Sequence, residues 1–582
     1  MPARQQLCIA ISGLIVLSVM MARSEESPAK ELTPAEKTAA ARRQMIGTIP
    51  PTEAHDLLKA KPEAVEAWKD MRFGMFICWG PVSLTGKEIG WSRGSETPIK
   101  EYDNLYKQWN PDKFDAREWV KIVKETGARY IVFLLKHHDG FCLWDTKQTN
   151  YNIMNGPFKR DVLKEVAAAC REQGIGLFPY YSTCDWHHPD FPMNGWKETR
   201  PVSNLDRYTN YLEAQIKELI TGYGPFVGIW FDVPQCFDRA RGERVIRFVR
   251  TLQPDIIVNN RTGAPGDFDT PEQNVGGFQN MRPWESCMTL GTQWSWKPDD
   301  KLKPYSEAIR ILVRCATGDG NLALNTNPMP DGRIEPRQVE IFLKIGQWMK
   351  QYGHSIYGTR GGPVKPAKWG GTTRKDKTIY VHVLQWWPDG VLTLPALPRK
   401  VLSHSVLTGG EASLEQTDSA ITITVAAKHR DAVDTIIELN LDASAMDIPA
   451  TSVKVMRHGK SATASGEWNG DYSADKAFDD DETTRWGGAP LSKTGWLAVD
   501  LGRPQTITGA VIWEYETRVQ KFRLQFKENE TWTTLVEGTT LGTFQTTFKP
   551  ITAQHVRLEI LEATNVPSIY EFHLTTSTTA TK

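Results

Sequence analysis

FVGIWFDVPQ, residues 226–235, is an apolar run cut off by a single carboxylate, Asp232. A charged group at the end of an apolar strand is costly to desolvate unless something pairs with it. Asp232 therefore either caps the turn that follows or is a reactive group held at the rim of a core. The same form recurs around it: MRFGMFICWG (71–80), ARYIVFLLKHHDGF (128–141), GIGLFPYYST (174–183) and DIIVNNRTG (255–263) are bulky runs ending in polar or aromatic residues. Between them, DAREWVKIVKETG (115–127), RDVLKEVAAACREQG (160–174), YTNYLEAQIKELITGYG (208–224) and ERVIRFVRTLQP (243–254) place apolar residues at helical spacing, and several end at glycine. Unbroken apolar strands alternating with amphipathic helices predict a parallel sheet buried on both faces. No GxGxxG follows the first strand, and polar residues collect at the C-terminal ends of at least five strands. That distribution predicts a (β/α)8-like barrel over residues 66–360, closed by the helix EPRQVEIFLKIGQWMKQYG (335–353).

After Gly361-Gly362-Pro363 the rhythm changes to short strands with close turns, TIYVHVLQWW (378–387), VLTLPAL (391–397), AITITVAA (420–427) and TIIELNL (435–441), which predicts a β-sandwich over 361–443. A linker near 443–455 leads to a second β domain over 455–576. At the other end, residues 1–24 read as a secretory signal peptide: one arginine, an uncharged apolar stretch from Leu7 to Ala22, then small residues at Ala22 and Ser24. Residues 25–65 form an Ala-, Glu- and Lys-rich leader. The expectation is an exported chain, periplasmic or extracellular, whose mature form does not insert in a membrane. The 69 basic and 69 acidic side chains cancel, which argues against nucleic acid or an anionic surface as partner. Cys8 leaves with the signal peptide, and the other seven of the eight cysteines lack CxxC spacing, so most are expected as buried thiols with room for one bridge. Nothing in the sequence sets the oligomeric state.

The strand ends offer Cys78, Trp79, Trp91, His137, His138, Asp139, Tyr180, Tyr181, Trp230, Asp232, Asn260 and Arg261, with Glu272 and Glu285 in loops beyond. Aromatic platforms, imidazoles and carboxylates suit sugar hydroxyls and apolar ring faces. Adjacent histidines on a strand would point to opposite sides, so no metal centre is expected in the barrel and no cofactor for catalysis. Two carboxylates flanking a sugar perform glycoside hydrolysis, one as nucleophile and one as acid/base. Asp232, at a rigid strand end, is the natural nucleophile.

FGMFICWGPVS, KHHDGFCLWDT, YYSTCDWHHPDF, IWFD, NNRTG with DTPEQ, PWESC and GDGNLALNTNPMPDGRIEPRQ, in this order and spacing, resemble the α-L-fucosidases of glycoside hydrolase family 29 over roughly residues 60–440. The resemblance implies retaining hydrolysis of a terminal α-L-fucosyl bond of a glycan through a covalent glycosyl-enzyme. It implies Asp232 as nucleophile, His137, His138, Tyr181 and Trp230 around the sugar, and Arg261 near the acid/base; Cys78, Trp79 and Trp91 at the strand ends are further candidates for binding it. Glu272 is favoured as acid/base, with Glu285 in reserve. The chain departs from the family in having Cys78-Trp79-Gly80 in place of His-Trp-Gly, Gly90 where many members place Glu beside Trp91, and Val233-Pro234 after the aspartate. Those departures leave two alternatives open, a glycosidase for a related sugar such as a galactoside or modified fucoside, and a carbohydrate-binding protein without turnover. SATASGE (461–467), DKAFDDDETTRWGG (475–488) and GWLAVDLGRPQTITGAVI (495–512) resemble a discoidin-like, coagulation-factor 5/8 type C, carbohydrate-binding domain, whose acidic turn at Asp479 and Asp481 could hold a structural calcium.

Overall fold

The computed structural model describes residues 56–386, 390–418, 420–451, 461–479 and 484–576. The signal peptide, most of the leader and Asp481 lie outside the described residues. The chain divides into two units, one ending at Gly358 and one beginning at Thr359.

The first unit is built on seven parallel strands: β1 (Phe73–Ile77), β2 (Tyr130–Lys136), β3 (Gly176–Ser182), β4 (Gly228–Asp232), β5 (Ile257–Val258), β6 (Glu285–Thr289) and β7 (Asn321–Thr326), in the order β5-β4-β3-β2-β1-β7-β6. Parallel bridges Asn259–Phe268, Asp269–Trp284 and Glu272–Cys287 then carry residues 268–272 between β5 and β6, so the two sheet edges meet through an eighth, irregular stave. Six helices cover the ring: α1 (Ala116–Glu125), α2 (Val162–Gln173), α3 (Leu205–Tyr223), α4 (Arg239–Leu252), α5 (Tyr305–Thr317) and α6 (Pro336–Tyr352). Among the described residues no helix follows β5 or the irregular stave, which is where the observed fold departs from a full eightfold repeat.

Local sequence sets these boundaries. Asp115, Asp161, Asn204 and Asp238 each cap a helix by accepting hydrogen bonds from the first-turn N–H groups, and α2 stops at Gly174, whose φ of 73° is left-handed. Side chains alternate along the strands, so Phe178 and Tyr180 of β3 and Trp230 of β4 enter the barrel interior with Tyr130, Phe76 and Cys78. These aromatics fit because Gly228 lacks a side chain: a Cβ there would come within 2.2 Å of the Phe178 ring.

In the second unit, residues from Thr359 form a five-stranded antiparallel sheet and a three-stranded one, packed on Ile379, Val381, Ile421, Ile423, Ile437 and Leu439. Residues 443–451, read from sequence as linker, belong to this module: Ala445 and Ile448 are buried in its core, and Thr451 bridges Val364. The C-terminal module is a seven-stranded sheet system with its own core around Trp486, Leu497, Ile512, Phe522, Leu558 and Phe572. Six cysteines, Cys78, Cys142, Cys170, Cys184, Cys287 and Cys315, are buried thiols, so the bridge allowed for on sequence does not involve them. Among the described residues no helix is long and apolar enough to cross a membrane.

Candidate active site

Asp232 is the last residue of β4 and only 8% exposed. Both of its oxygens are engaged. Oδ1 accepts from Arg261 Nη1 at 2.8 Å and from the Val233 N–H at 2.9 Å, and Oδ2 accepts from the Tyr180 hydroxyl at 2.6 Å, with His138 Nε2 3.7 Å away. Burial pushes this carboxyl up, but Arg261, His138 and Tyr180 outweigh it and hold it below its ordinary value. The bond to Val233 N–H has a conformational cost: Val233 sits at φ 42°, a left-handed backbone that a β-branched residue rarely adopts. The strain turns the chain sharply enough to aim its amide back at the carboxylate.

Arg261, just after β5, joins the two candidate catalytic carboxylates. Its Nη1 also donates to Glu272 Oε2 at 2.9 Å, while Nε and Nη2 are fixed by Thr270 Oγ1 and the Thr270 carbonyl at 2.8 and 2.9 Å. One nitrogen thus bonds both Asp232 and Glu272. The two bonds laid end to end fall short of the roughly 6.5–9.5 Å carboxyl spacing of inverting glycosidases and suit the roughly 5–5.5 Å of retaining ones. Glu272 comes from the irregular stave, and its side chain is 32% exposed, open to the cavity.

His137 and His138 lie beyond the end of β2, where strand alternation no longer applies. Their rings are 3.8 Å apart instead of facing opposite ways as the sequence suggested. Ser182 Oγ donates its one proton to the Cys184 carbonyl at 2.7 Å, so it accepts from His138 Nδ1, also at 2.7 Å, and leaves Nε2 as a bare acceptor. That nitrogen and His137 Nδ1 are buried without a hydrogen-bond partner. Burial lowers both imidazoles, His138 to about 4, so both are neutral at pH 7. His137 comes this close only because residue 90 is glycine: a Cβ there would meet its Nδ1 at 2.3 Å. His137, His138 and Asp232 bring potential ligand atoms within 4.8 Å of one another, the set among the described residues that could hold a metal ion. The carboxylate of that set is already engaged by Arg261 and Tyr180.

Cys78, Trp91, His137, Trp230, Asp232, Arg261 and Glu272 line a cavity of about 770 Å³, while His138 is fully buried and is not in its wall. Trp79, Asp139, Tyr181, Asn260 and Glu285 of the sequence reading are not in that wall either; Asp139 accepts from the Tyr102 hydroxyl at 2.6 Å and Asn260 Nδ2 donates to Asp269 Oδ1 at 3.0 Å. Trp79 is buried among Trp109, Phe114 and Trp119, with its indole N–H on the Met329 carbonyl. Tyr181 points outward from the barrel to Lys136 Nζ, 2.8 Å away, and donates to Gln215 at 2.6 Å, whereas its neighbour Tyr180 faces the cavity. Glu285 begins β6 deep in the barrel interior, accepting from the Tyr130 hydroxyl and, at 3.1 Å, from Trp230 Nε1; burial raises it to about 7. Tyr180 was within reach of sequence reasoning by parity with Phe178 and Trp230. Trp196, Trp294, Gln273 and Asn274, which also line the cavity, stand in loops that carry no periodic signal.

The alpha-L-fucosidase family model matches residues 50–354, and the F5/8 type C domain model matches residues 461–572. The plasma alpha-L-fucosidase of Homo sapiens is 29% identical over a 373-residue alignment that covers 56% of this chain and 78% of that protein. Among solved structures, the alpha-L-fucosidase isoenzyme 1 of Paenibacillus thiaminolyticus is 31% identical, with a TM-score of 0.60, over 65% of this chain and 99% of that one. A Bacteroides thetaiotaomicron alpha-L-fucosidase trapped as a covalent intermediate with 2-fluoro-fucosyl fluoride is 27% identical, with a TM-score of 0.61, over 68% of this chain and all of that one. With a family model spanning more than half of the chain and falling on the barrel that holds Asp232, Arg261 and Glu272, the chain belongs to the alpha-L-fucosidase family.

Proposed function

We propose that the protein is a retaining exo-acting α-L-fucosidase, with Asp232 as nucleophile and Glu272 as acid/base. The observation that carries this reading is Arg261 Nη1 bonded to both carboxylates, at 2.8 and 2.9 Å. In the first step Asp232 Oδ attacks the anomeric carbon, the glycosidic C–O bond breaks, and Glu272 delivers a proton to the departing oxygen. In the second, Glu272 takes a proton from water, the water oxygen bonds to the anomeric carbon, and Asp232 leaves with its electron pair. The neutral His137 and the indole of Trp91, both in the cavity wall, would meet the sugar's hydroxyls and ring face.

Replacing Asp232 by Ala should lower kcat/KM on an aryl α-L-fucoside by at least about a thousandfold. Azide should rescue Asp232→Gly with formation of the fucosyl azide, and wild-type enzyme should release product of the substrate's own anomeric configuration first. Undiminished activity of the Ala variant would overturn the assignment of the nucleophile. A second reading, hydrolysis of a related sugar, is favoured by Cys78 and Gly90, which put a buried thiol and no side chain where the family resemblance implies His and Glu. Turnover of aryl galactosides in preference to the fucoside would establish it.

We further propose export directed by residues 1–24, which N-terminal sequencing of secreted protein tests. Calcium in the C-terminal module is proposed at Asp479 and Asp481. The Asp479 carboxylate accepts from Thr484 Oγ1 at 2.8 Å and faces Lys476 Nζ at 3.5 Å, so a bound ion would have to displace that ammonium.

A further inference from the structure

The cavity is larger than one sugar ring requires: at about 770 Å³ it falls in the range that encloses ligands of several rings. A line of aromatic rings leads out from the nucleophile. His138 lies 3.7 Å from Asp232, Trp91 packs on His138 with ring centroids 5.1 Å apart, and Trp196 packs on Trp91 at 5.3 Å. Trp196 is thus the third ring out from the proposed nucleophile. It lines the cavity and is 42% exposed, and its indole N–H has no hydrogen-bond partner among the described residues.

An exposed tryptophan on a loose loop would be unremarkable, but this one is fixed from several directions. Its carbonyl accepts from Gln235 Nε2 at 3.2 Å, and the Gln235 side-chain oxygen accepts from the buried Trp186 Nε1 at 2.9 Å. Gln235 lies three residues after Asp232, so the loop that turns at the nucleophile also holds the tryptophan. Two residues before Trp196, the Asn194 carbonyl accepts from Arg93 Nη1 at 2.8 Å and its side-chain oxygen from Arg200 Nη2 at 3.0 Å. Arg93 is in turn clamped by both oxygens of Asp103 at 2.6 and 2.8 Å. An aromatic face fixed in advance loses little entropy when a ring stacks on it.

We infer that Trp196 is the platform for the leaving group, taking the apolar face of the pyranose to which the cleaved sugar is attached. The inference rests on the fucosidase reading and adds to it a preference for glycan over small leaving groups. The cavity wall also includes Gln273 and Asn274, next to Glu272 in sequence.

The test compares Trp196→Ala and Trp196→Tyr with wild type on two substrates, α-L-fucosyl fluoride, whose leaving group is too small to reach the platform, and a fucosyl-lactose trisaccharide. Loss of one stacked ring should lower kcat/KM of the Ala variant on the trisaccharide about tenfold, mainly through KM, and leave the fluoride unchanged. The Tyr variant should recover most of the loss. Fluoride turnover also reports that each variant is folded. An equal loss on both substrates, or none on the trisaccharide, overturns the platform and leaves the fucosidase reading standing, whereas a wild-type enzyme idle on the fluoride overturns both.

Discussion

Glu285 separates what a carboxylate's neighbours in sequence suggest from what its surroundings allow. It is 1% exposed and receives two hydrogen bonds but no cation, and burial holds its carboxyl at about 7. Because an unfolded glutamate titrates near 4.3, the native state keeps a proton that the unfolded state has lost between about pH 4.3 and 7. Stability from this group is therefore full below about pH 4.3 and is lost as pH rises to about 7, by about 1.4 kcal/mol per pH unit at most. Glu285→Gln should remove that share of the slope: its denaturation midpoint should fall less than wild type's between pH 5 and pH 8, with kcat within a few fold. Equal slopes would sink the titration argument, and a collapse of kcat with a folded protein would return Glu285 to the acid/base role. At this scale the sequence marked which positions carry chemistry more securely than it marked direction. Asp232, His137, Trp230, Arg261 and Glu272 gather around one space, but Tyr181 and Trp79 stand with their backs to it. The choice between Tyr180 and Tyr181 turns on a period of two, which needs one residue of known facing to set its phase, and Lys136 reaching outward to Tyr181 supplies it only in three dimensions.

Between elements, the strands and helices from β1 to β4 were legible because each strand is apolar on both faces and each helix carries a cap. The stave at 268–272 was not. It has no β-branched run and no helix on either side, and it is held by isolated bridges and by side chains such as Thr270, which accepts from Arg261 Nε and donates to Asn260 Oδ1 at 2.9 Å. Yet it carries Glu272, so the irregular stave delivers the proposed acid/base while a regular strand delivers the proposed nucleophile. The fit of the regular staves is correspondingly tight. Gly228→Ala would put a methyl 2.2 Å from the Phe178 ring in the barrel interior, with Ile257 Cγ1 only 2.6 Å away on the next strand. Overpacking of that kind should cost about 3 kcal/mol in urea unfolding. It should also lower kcat, because β4 cannot shift without moving Asp232. A variant as stable as wild type would show that the interior can yield, and that the rigidity ascribed to β4 is not set by packing.

For the whole molecule, the residues between Thr451 and Ser461 divide two cores that share no side chain. The sandwich closes on Ala445 and Ile448, while the C-terminal module packs around Trp486, Phe522 and Phe572. Among the contacts joining these modules is Lys368 Nζ, 3.9 Å from the centroid of the buried Trp513 ring, an interaction worth about 2 kcal/mol where it is desolvated. A chain ending at Thr451 should therefore keep the kcat/KM of the full protein on α-L-fucosyl fluoride within about twofold and melt within a few degrees of the full chain's barrel transition. If Asp479 and Asp481 hold calcium, EDTA should lower the melting of the full chain, because an ion bound only by the folded module stabilises it by mass action. The shift should be absent from the truncated chain, which lacks both carboxylates. An EDTA shift that survives truncation would place the ion elsewhere, and none in either chain would leave the Asp479 carboxylate with Thr484 and Lys476 and overturn the calcium site. Loss of fluoride turnover on truncation would show that the C-terminal module supports the active site itself, not merely delivery of the enzyme to its glycan.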